Sequence, residues 1–176
     1  MSVGRYARHT KPQLLQAIRE KVIYAVDMAV GENCTLSNVG PSSAMQINKQ
    51  QQQNGYAIAD LKVPIDRVPG TPIRFKIVYT GTAQVGNIVF YMSYIVVGLG
   101  ENLAGALATQ WLIQSAPPPN YSKTSDEIWI HAVKIDGKLP SVDIQMRIGR
   151  DGTHALDTNA GNVYILKVIA EYTAYV

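Results

Sequence analysis

Alternation of apolar and polar side chains is the main pattern of the chain from residue 55 onward. In residues 142–148, four apolar positions alternate with three polar ones, the period of two expected of a strand with one buried face. A polar turn cluster follows, and residues 163–176 are then rich in β-branched and aromatic residues, without Pro or Gly. We predict that this last segment is a long strand at the centre of a sheet.

Further strands are predicted upstream of this pair. Residues 73–79 alternate clearly, and residues 88–96 are apolar on both parities, which indicates a strand covered on both faces. Weaker patterns predict strands at 56–63 and 128–135, and a strand or short helix at 106–114. Seven or eight strands with two long connections favour an all-β jelly roll, a Greek-key β-sandwich, over residues 55–176.

The first 54 residues lack this pattern, and we predict an N-terminal arm and linker there. Thr10, Pro12 and Gln13 resemble a helix start, and apolar residues then recur at helical spacing, which predicts a helix over about residues 12–25. Residues 22–30 fit a strand equally well, because their apolar positions also alternate. Residues 44–54 include four consecutive glutamines and show no core pattern, so they are interpreted as linker.

Charge is scarce in the chain and unevenly placed. Only 16% of the 176 residues are charged and 47% are hydrophobic, which favours burial of surface against partners. Residues 1–21 carry five basic residues and one acidic residue, whereas the remaining chain has a net charge of −1. A basic arm docking on an acidic protein surface is favoured over a solvated tail or nucleic-acid binding. The predicted docking residues are Arg5, Tyr6, Arg8, Lys11, Leu14, Leu15, Ile18 and Arg19.

Few residues support catalysis or metal binding. Cys34 is the only cysteine, and the three histidines have no metal-ligand spacing. No nucleophile elbow is present, and Gly98-Leu99-Gly100 lacks the third glycine of a dinucleotide motif. Asp151, Asp157 and Thr158 could surround a cation, but such loop residues more commonly bond their own backbone. We therefore predict a protein that is not an enzyme and has no metal site or cofactor.

The chain also lacks sequence signals for membranes. The longest apolar run, residues 88–99, is too short and interrupted to span a bilayer, and the first ten residues have no apolar signal region. We therefore predict synthesis in the cytoplasm and no membrane partner.

Residues 147–152 and 157–166 carry a resemblance to a known class of protein. Their order is apolar strand, Arg-Asp-Gly, Asp-Thr, Gly, aromatic residue and apolar strand. This order resembles the C-terminal hairpin of jelly-roll structural proteins of tailed bacteriophages, which are capsid cement or decoration proteins and related tail-fibre or spike domains. The resemblance implies a virion protein on the capsid surface, made in the host cytoplasm, that binds the major capsid protein and stabilises the head.

The resemblance also implies self-association, with a homotrimer favoured over a dimer, which agrees with closed symmetry as a way to bury repeated apolar patches. The alternative function is a receptor-binding module of a tail fibre or spike that recognises a host-surface glycan. Its candidate residues are Asn120, Tyr121 and Asp126, because exposed aromatic rings among amides and carboxylates are typical of glycan sites.

Overall fold

Strands make up most of the part of the chain that the computed structural model describes, residues 14–48, 54–101, 106–118, 121–138 and 142–176. A 3-10 turn (Ala25–Asp27) and a short helix, α1 (Ala132–Asp136), accompany them. The strands in these ranges are β1 (Gln16–Tyr24), β2 (Ala29–Val30), β3 (Cys34–Val39), β4 (Ser42–Ile47), β5 (Asn54–Lys62), β6 (Ile73–Gly81), β7 (Asn87–Gly98), β8 (Ala108–Ser115), β9 (Lys123–Thr124), β10 (Ile128–Ile130), β11 (Val142–Asp151) and β12 (Val163–Tyr175).

The strands form two antiparallel sheets. The first sheet has the order β10-β6-β12-β4-β3, with β1 also paired to β12 and β9 to β6. The second sheet has the order β2-β5-β11-β7-β8. No helix in the described ranges is long and apolar enough to cross a membrane.

The pairing of the eight main strands is nested, and this nesting defines a jelly roll. The first of them, β4, pairs with the last, β12, and the second, β5, pairs with the next to last, β11. Inside these pairs β6 lies against β10, and β7 against β8. A long hairpin folded over on itself in this way places alternate pairs in opposite sheets. The predicted fold class is therefore confirmed.

The hydrophobic core lies between the two sheets, where the predicted alternation is observed. On β11 the apolar residues Val142, Ile144, Met146 and Ile148 are buried, while Asp143 and Arg147 are exposed. The final strand is central, as predicted: β12 pairs with β6 on one side and with β4 and β1 on the other.

A register shift between Ile165 and Lys167 changes the parity of β12 in mid-strand. Before the shift Val163 and Ile165 are fully buried, and after it Val168 and Ala170 are. Leu166, which has the same parity as the buried Val168 and Ala170, is only half-buried, because the extra residue of a bulge interrupts the alternation.

The helix predicted over residues 12–25 is wrong in the described range, where Gln16–Tyr24 is strand β1. The physical reason is long-range pairing: β1 lies along β12 for nine residues and satisfies backbone groups that β12 would otherwise expose. Helical spacing of a few apolar residues is a weaker constraint than this pairing, because tertiary contacts override local propensity.

The division of the chain at residue 54 also needs correction. Strand β4 pairs with β12, and its residues Met45 and Ile47 are completely buried in the core. The segment interpreted as linker therefore begins with a strand of the sandwich. In residues 128–135 the predicted strand is shorter than expected, because β10 ends at Ile130 and α1 follows.

Candidate binding surfaces

Strand β1 leaves one edge of the first sheet open. Within the described residues it pairs only with β12, so its other edge has no partner strand. Leu14, Leu15 and Ile18 at its beginning are 63%, 74% and 56% exposed. Exposed apolar side chains thus lie beside an open sheet edge, with Leu14 and Ile18 on one parity and Leu15 on the other, an arrangement that proteins normally avoid unless it is used or protected.

Arg19 is on the opposite face of β1 from Ile18 and already has a partner. Its guanidinium donates to the Asp66 carboxylate at 2.7 Å. Tyr172 is opposite Arg19 on β12, and burial, together with the charge of Asp66, raises the pKa of its hydroxyl. Arg19 therefore holds the loop around Asp66 against the sheet. The other predicted docking residues, Arg5, Tyr6, Arg8 and Lys11, lie outside the described residues.

A groove crosses the outer face of the first sheet. Strands β6 and β12 form its floor, the β3–β4 turn forms one wall, and residues 121–122 form the other. Its main part has a volume of about 710 Å³ and adjoins a second part of about 420 Å³ next to Tyr24. Leu166, at the β12 bulge, lines both parts. The main part is lined by Asn38, Val39, Gly40, Ser42, Thr80, Gly81, Thr82, Gln84, Tyr121, Ser122, Tyr164 and Leu166.

Local hydrogen bonds hold the walls of the groove. The Thr80 hydroxyl donates to the Tyr121 carbonyl at 3.0 Å, and the Tyr121 N–H donates to the Pro118 carbonyl at 3.3 Å. Gly40, with a φ of 58°, makes the turn of the opposite wall in a conformation that other residues rarely adopt. The backbone of both walls is therefore fixed, while the Tyr121 side chain remains 69% exposed.

The main part of the groove combines aromatic rings with uncharged polar groups, and Lys167 adds a cationic side chain to the second part. Tyr121, Tyr164 and Tyr24 are spaced along the groove, and Asn38 and Gln84 make no side-chain hydrogen bond within the described residues. The main part thus offers ring faces for apolar contact and amide or hydroxyl groups for hydrogen bonds, the composition of a site that binds a polar ligand.

Only one residue of the predicted glycan loop lines the groove. Tyr121 does, Asn120 lies outside the described residues, and the Asp126 carboxylate instead accepts a hydrogen bond from the Gln114 amide at 3.0 Å. Tyr24 and Tyr164 were missed by sequence reasoning. The bulge in β12 changes the parity that places Tyr164 outward, Tyr24 lies on a strand that was predicted as a helix, and the proximity of both to Tyr121 depends on the pairing of the sheet.

The polar loop after β11 is held by internal contacts. The Arg150 guanidinium donates twice to the Asp157 carboxylate, at 2.6 and 2.7 Å, and also donates to the Asn159 and Gly161 carbonyls. Arg150 and Asp157 are both almost completely buried. The Thr158 hydroxyl accepts from the Asn87 N–H at 2.9 Å. These contacts support the interpretation of this loop as structural.

No group of three or more His, Cys, Asp or Glu side chains suited to a metal ion occurs in the described ranges.

Comparison with known proteins gives structural similarities alone. No protein-family model matches the chain, and no curated protein sequence matches it. Among solved structures, the chain is similar to the enzymatically active domain of bacteriophage CBA120 tailspike protein 4, with 8% identity and a TM-score of 0.37. The similarity covers 90% of this chain but only 19% of the tailspike chain.

Two further solved structures illustrate the range of similar proteins. A mannan-recognising carbohydrate-binding module, TmCBM27, has 7% identity and a TM-score of 0.43 over 90% of this chain and 98% of its own. A chain in the structure of the infectious bursal disease virus Gx strain has 15% identity and a TM-score of 0.41, and the similarity covers 90% of this chain and 33% of the viral chain. At these scores the similarities carry no functional argument, and the jelly-roll assignment rests on the strand order.

Proposed function

We propose that this protein is a structural component of a tailed-bacteriophage virion, a cement or decoration protein that binds the major capsid protein lattice. The observation that carries the proposal is the open edge of β1, where Leu14, Leu15 and Ile18 are exposed directly after the basic N-terminal segment. Together with the resemblance of residues 147–152 and 157–166 to phage structural proteins, this edge supports a role in assembly. In this proposal the protein is made in the host cytoplasm, resides on the capsid surface and has no catalytic activity.

Burial and charge contribute unequally to the proposed docking. Exposed ion pairs contribute about 0–1 kcal/mol each, so Arg5, Arg8 and Lys11 alone give weak attachment. Burial of a large apolar side chain contributes roughly 1.5–3 kcal/mol, so Leu14, Leu15 and Ile18 supply most of the affinity. On a lattice of repeated subunits, a closed oligomer would multiply such contacts through avidity.

The test is binding of purified variants to phage heads that lack the protein. Changing Leu14 and Leu15 to Ser should greatly reduce attachment, whereas changing Arg5, Arg8 and Lys11 to Gln should reduce it mildly and make it less sensitive to salt. The matched control is Val85→Ser, because Val85 is 78% exposed at the opposite region of the sandwich. If the double Ser variant attaches like the unmodified protein, the proposed docking surface is wrong.

The groove supports a second candidate function, recognition of a host-surface glycan by a tail-fibre or spike module. The specific observation is the row of Tyr24, Tyr121 and Tyr164 among hydroxyl and amide groups on one sheet face. A glycan array carrying bacterial surface polysaccharides tests this function. Tyr121→Ala and Tyr164→Ala should abolish any binding, while Tyr175→Ala, outside the groove lining, should not. Binding unaffected by either groove substitution would contradict it.

A further inference from the structure

The hydrogen-bonding direction of the open β1 edge can be derived from its pairing with β12. The Val176 N–H donates to the Leu15 carbonyl at 3.0 Å, and Leu15 faces Val176 if the β1–β12 register is continued by one residue. Leu15 is thus a hydrogen-bonded pair position, and such positions alternate along an antiparallel ladder. The odd-numbered residues of β1 therefore point their backbone groups toward β12, and the even-numbered residues from Gln16 to Tyr24 point theirs toward the open edge.

The side chains follow the same alternation. Ile23, an odd-numbered residue, belongs to the buried core, so odd-numbered side chains face inward and even-numbered side chains face outward. Ile18 is 56% exposed on this outer face, and Leu14, two positions before β1, is 63% exposed. The open edge thus presents backbone donors and acceptors at the same residues that carry exposed apolar side chains.

Antiparallel pairing of two β1 strands is self-complementary in one register. If Ile18 faces Ile18 of the second copy, Gln16 faces Glu20 and Leu14 faces Val22. Apolar residues then face apolar residues on the outer face, and an amide faces a carboxylate. On the inner face Ala17 faces Arg19, so no like charges are opposed.

Other two-fold registers are less favourable. Centring the pair on Glu20 places the two Glu20 carboxylates opposite each other and Arg19 opposite Lys21. Centring it on Arg19 opposes two guanidinium groups, and centring it on Ala17 places Leu14 opposite Glu20. Registers displaced toward Tyr24 pair few residues, because β1 ends there. Like charges directly opposite each other destabilise a sheet, which disfavours the registers centred on Glu20 and Arg19. Centring on Gln16 pairs only residues 14–18 of the described chain, whereas centring on Ile18 pairs residues 14–22 and places apolar residues opposite each other, so the register centred on Ile18 is favoured.

We propose that two copies of this protein associate by antiparallel pairing of their β1 strands about a two-fold axis at Ile18, which joins their first sheets into one continuous sheet. This two-fold assembly takes the place of the homotrimer that the phage resemblance implies. It goes beyond the proposed docking function, because the pair forms whether or not a capsid is present. On its outer face, the apolar pairs Ile18–Ile18 and Leu14–Val22 alternate with Gln16–Glu20 pairs.

Mass and cross-linking measurements on the full chain test the proposal. Light scattering at micromolar concentration should give twice the chain mass of 19.3 kDa. Ile18→Lys should restore the single-chain mass, because it opposes two ammonium groups at the axis. Val26→Lys is the matched control, since Val26 is 59% exposed but lies beyond β1, and it should remain a dimer.

Disulfide trapping tests the register and remains informative if Ile18→Lys fails to fold. In a Cys34→Ala background, Ile18→Cys should form an intermolecular disulfide, because facing Cα atoms of a hydrogen-bonded pair are about 5.5 Å apart, within disulfide range. Glu20→Cys should not, since its two copies are displaced by four residues, roughly 13 Å. A monomer, a trimer, or cross-linking at Glu20→Cys in place of Ile18→Cys would overturn the proposal.

Discussion

The β11–β12 segment, two strands of opposite sheets with the loop that joins them, and strand β1 differ in where their polar and apolar groups lie. In the β11–β12 segment, even the charged Arg150 is buried, and it makes four internal hydrogen bonds, two to Asp157 and two to loop carbonyls. In β1, Leu14 and Ile18 are exposed and one strand edge has no partner in the described residues. The contrast indicates that the β11–β12 segment contributes chiefly to folding, whereas β1 is available for association.

Truncation at the two ends should give the largest difference between these regions. Removing the last eight residues takes away buried Ala170, Tyr172 and Ala174 together with most of the β1–β12 ladder, so soluble expression should be lost. Removing residues 1–13 leaves every described strand intact and should leave the protein folded. Circular dichroism and thermal unfolding check both variants, and a cooperative transition after C-terminal truncation would contradict the central role of β12.

Breaking the buried ion pair should have the next largest effect. Arg150→Ala leaves the Asp157 carboxylate buried without its charged partner, which typically lowers the free energy of unfolding by about 3–5 kcal/mol. The matched control is Arg147→Ala on the same strand. Arg147 is exposed and lies 5.0 Å from the centre of the Tyr56 ring, so its loss should cost about 0.5–1 kcal/mol. Urea unfolding measures both, and equal effects would show that the Arg150 contacts are dispensable.

Alkaline pH should destabilise the sandwich through the buried thiol of β3. Burial raises the pKa of Cys34 from 9.0 to about 11. Between these values the unfolded chain loses the thiol proton while the folded chain keeps it, so stability falls as pH rises through this window. The slope should be less than about 1.4 kcal/mol per pH unit. Cys34→Ala should remove this contribution, and an unchanged pH dependence in that variant would exclude Cys34 as its source.

Polar substitution on the open edge should have the smallest effect on folding. Ile18→Ser removes an exposed side chain, so the free energy of unfolding at dilute, monomeric concentrations should change by no more than about 0.5 kcal/mol. The same change at Ile148, which is fully buried on β11, should cost several times as much. If the two substitutions cost the same in urea unfolding, then β1 contributes to the core more than its exposure indicates.

The difference between the β11–β12 segment and strand β1 also explains which features the sequence could predict. Alternation on β11 was readable because one face meets the core and the other meets solvent, so each residue type reports its face. On β1 this relation is reversed, because the apolar Ile18 is exposed while Arg19 and Lys21 have the parity of the inner face. The apolar residues of this segment therefore show helical spacing in the sequence, which led to the prediction of a helix. The strand forms because β12 supplies a pairing partner far along the chain, with Gln16 opposite Tyr175 and Tyr24 opposite Lys167. A local sequence pattern contains no information about such long-range pairing.

The candidate sites show the same limit. Leu14, Leu15 and Ile18 were predicted from their apolar character, and in the structure all three are exposed at or just before the start of β1. The groove was only partly predicted, through Tyr121, because its other tyrosines come from β1 and β12 and meet Tyr121 only after the sheet forms. Residues from distant strands become one surface through pairing and through the bulge at Leu166, neither of which is visible in composition or periodicity.

The copy number of the protein in purified virions distinguishes a capsid protein from a tail protein. A cement protein that covers the capsid lattice should be present in numbers comparable with those of the major capsid protein, as measured by quantitative mass spectrometry against labelled peptides of both. We expect copy numbers comparable with those of the major capsid protein, and we expect the protein to be released from heads without loss of tails. A handful of copies per particle that remain with isolated tails, or complete absence from virions, would contradict the capsid assignment.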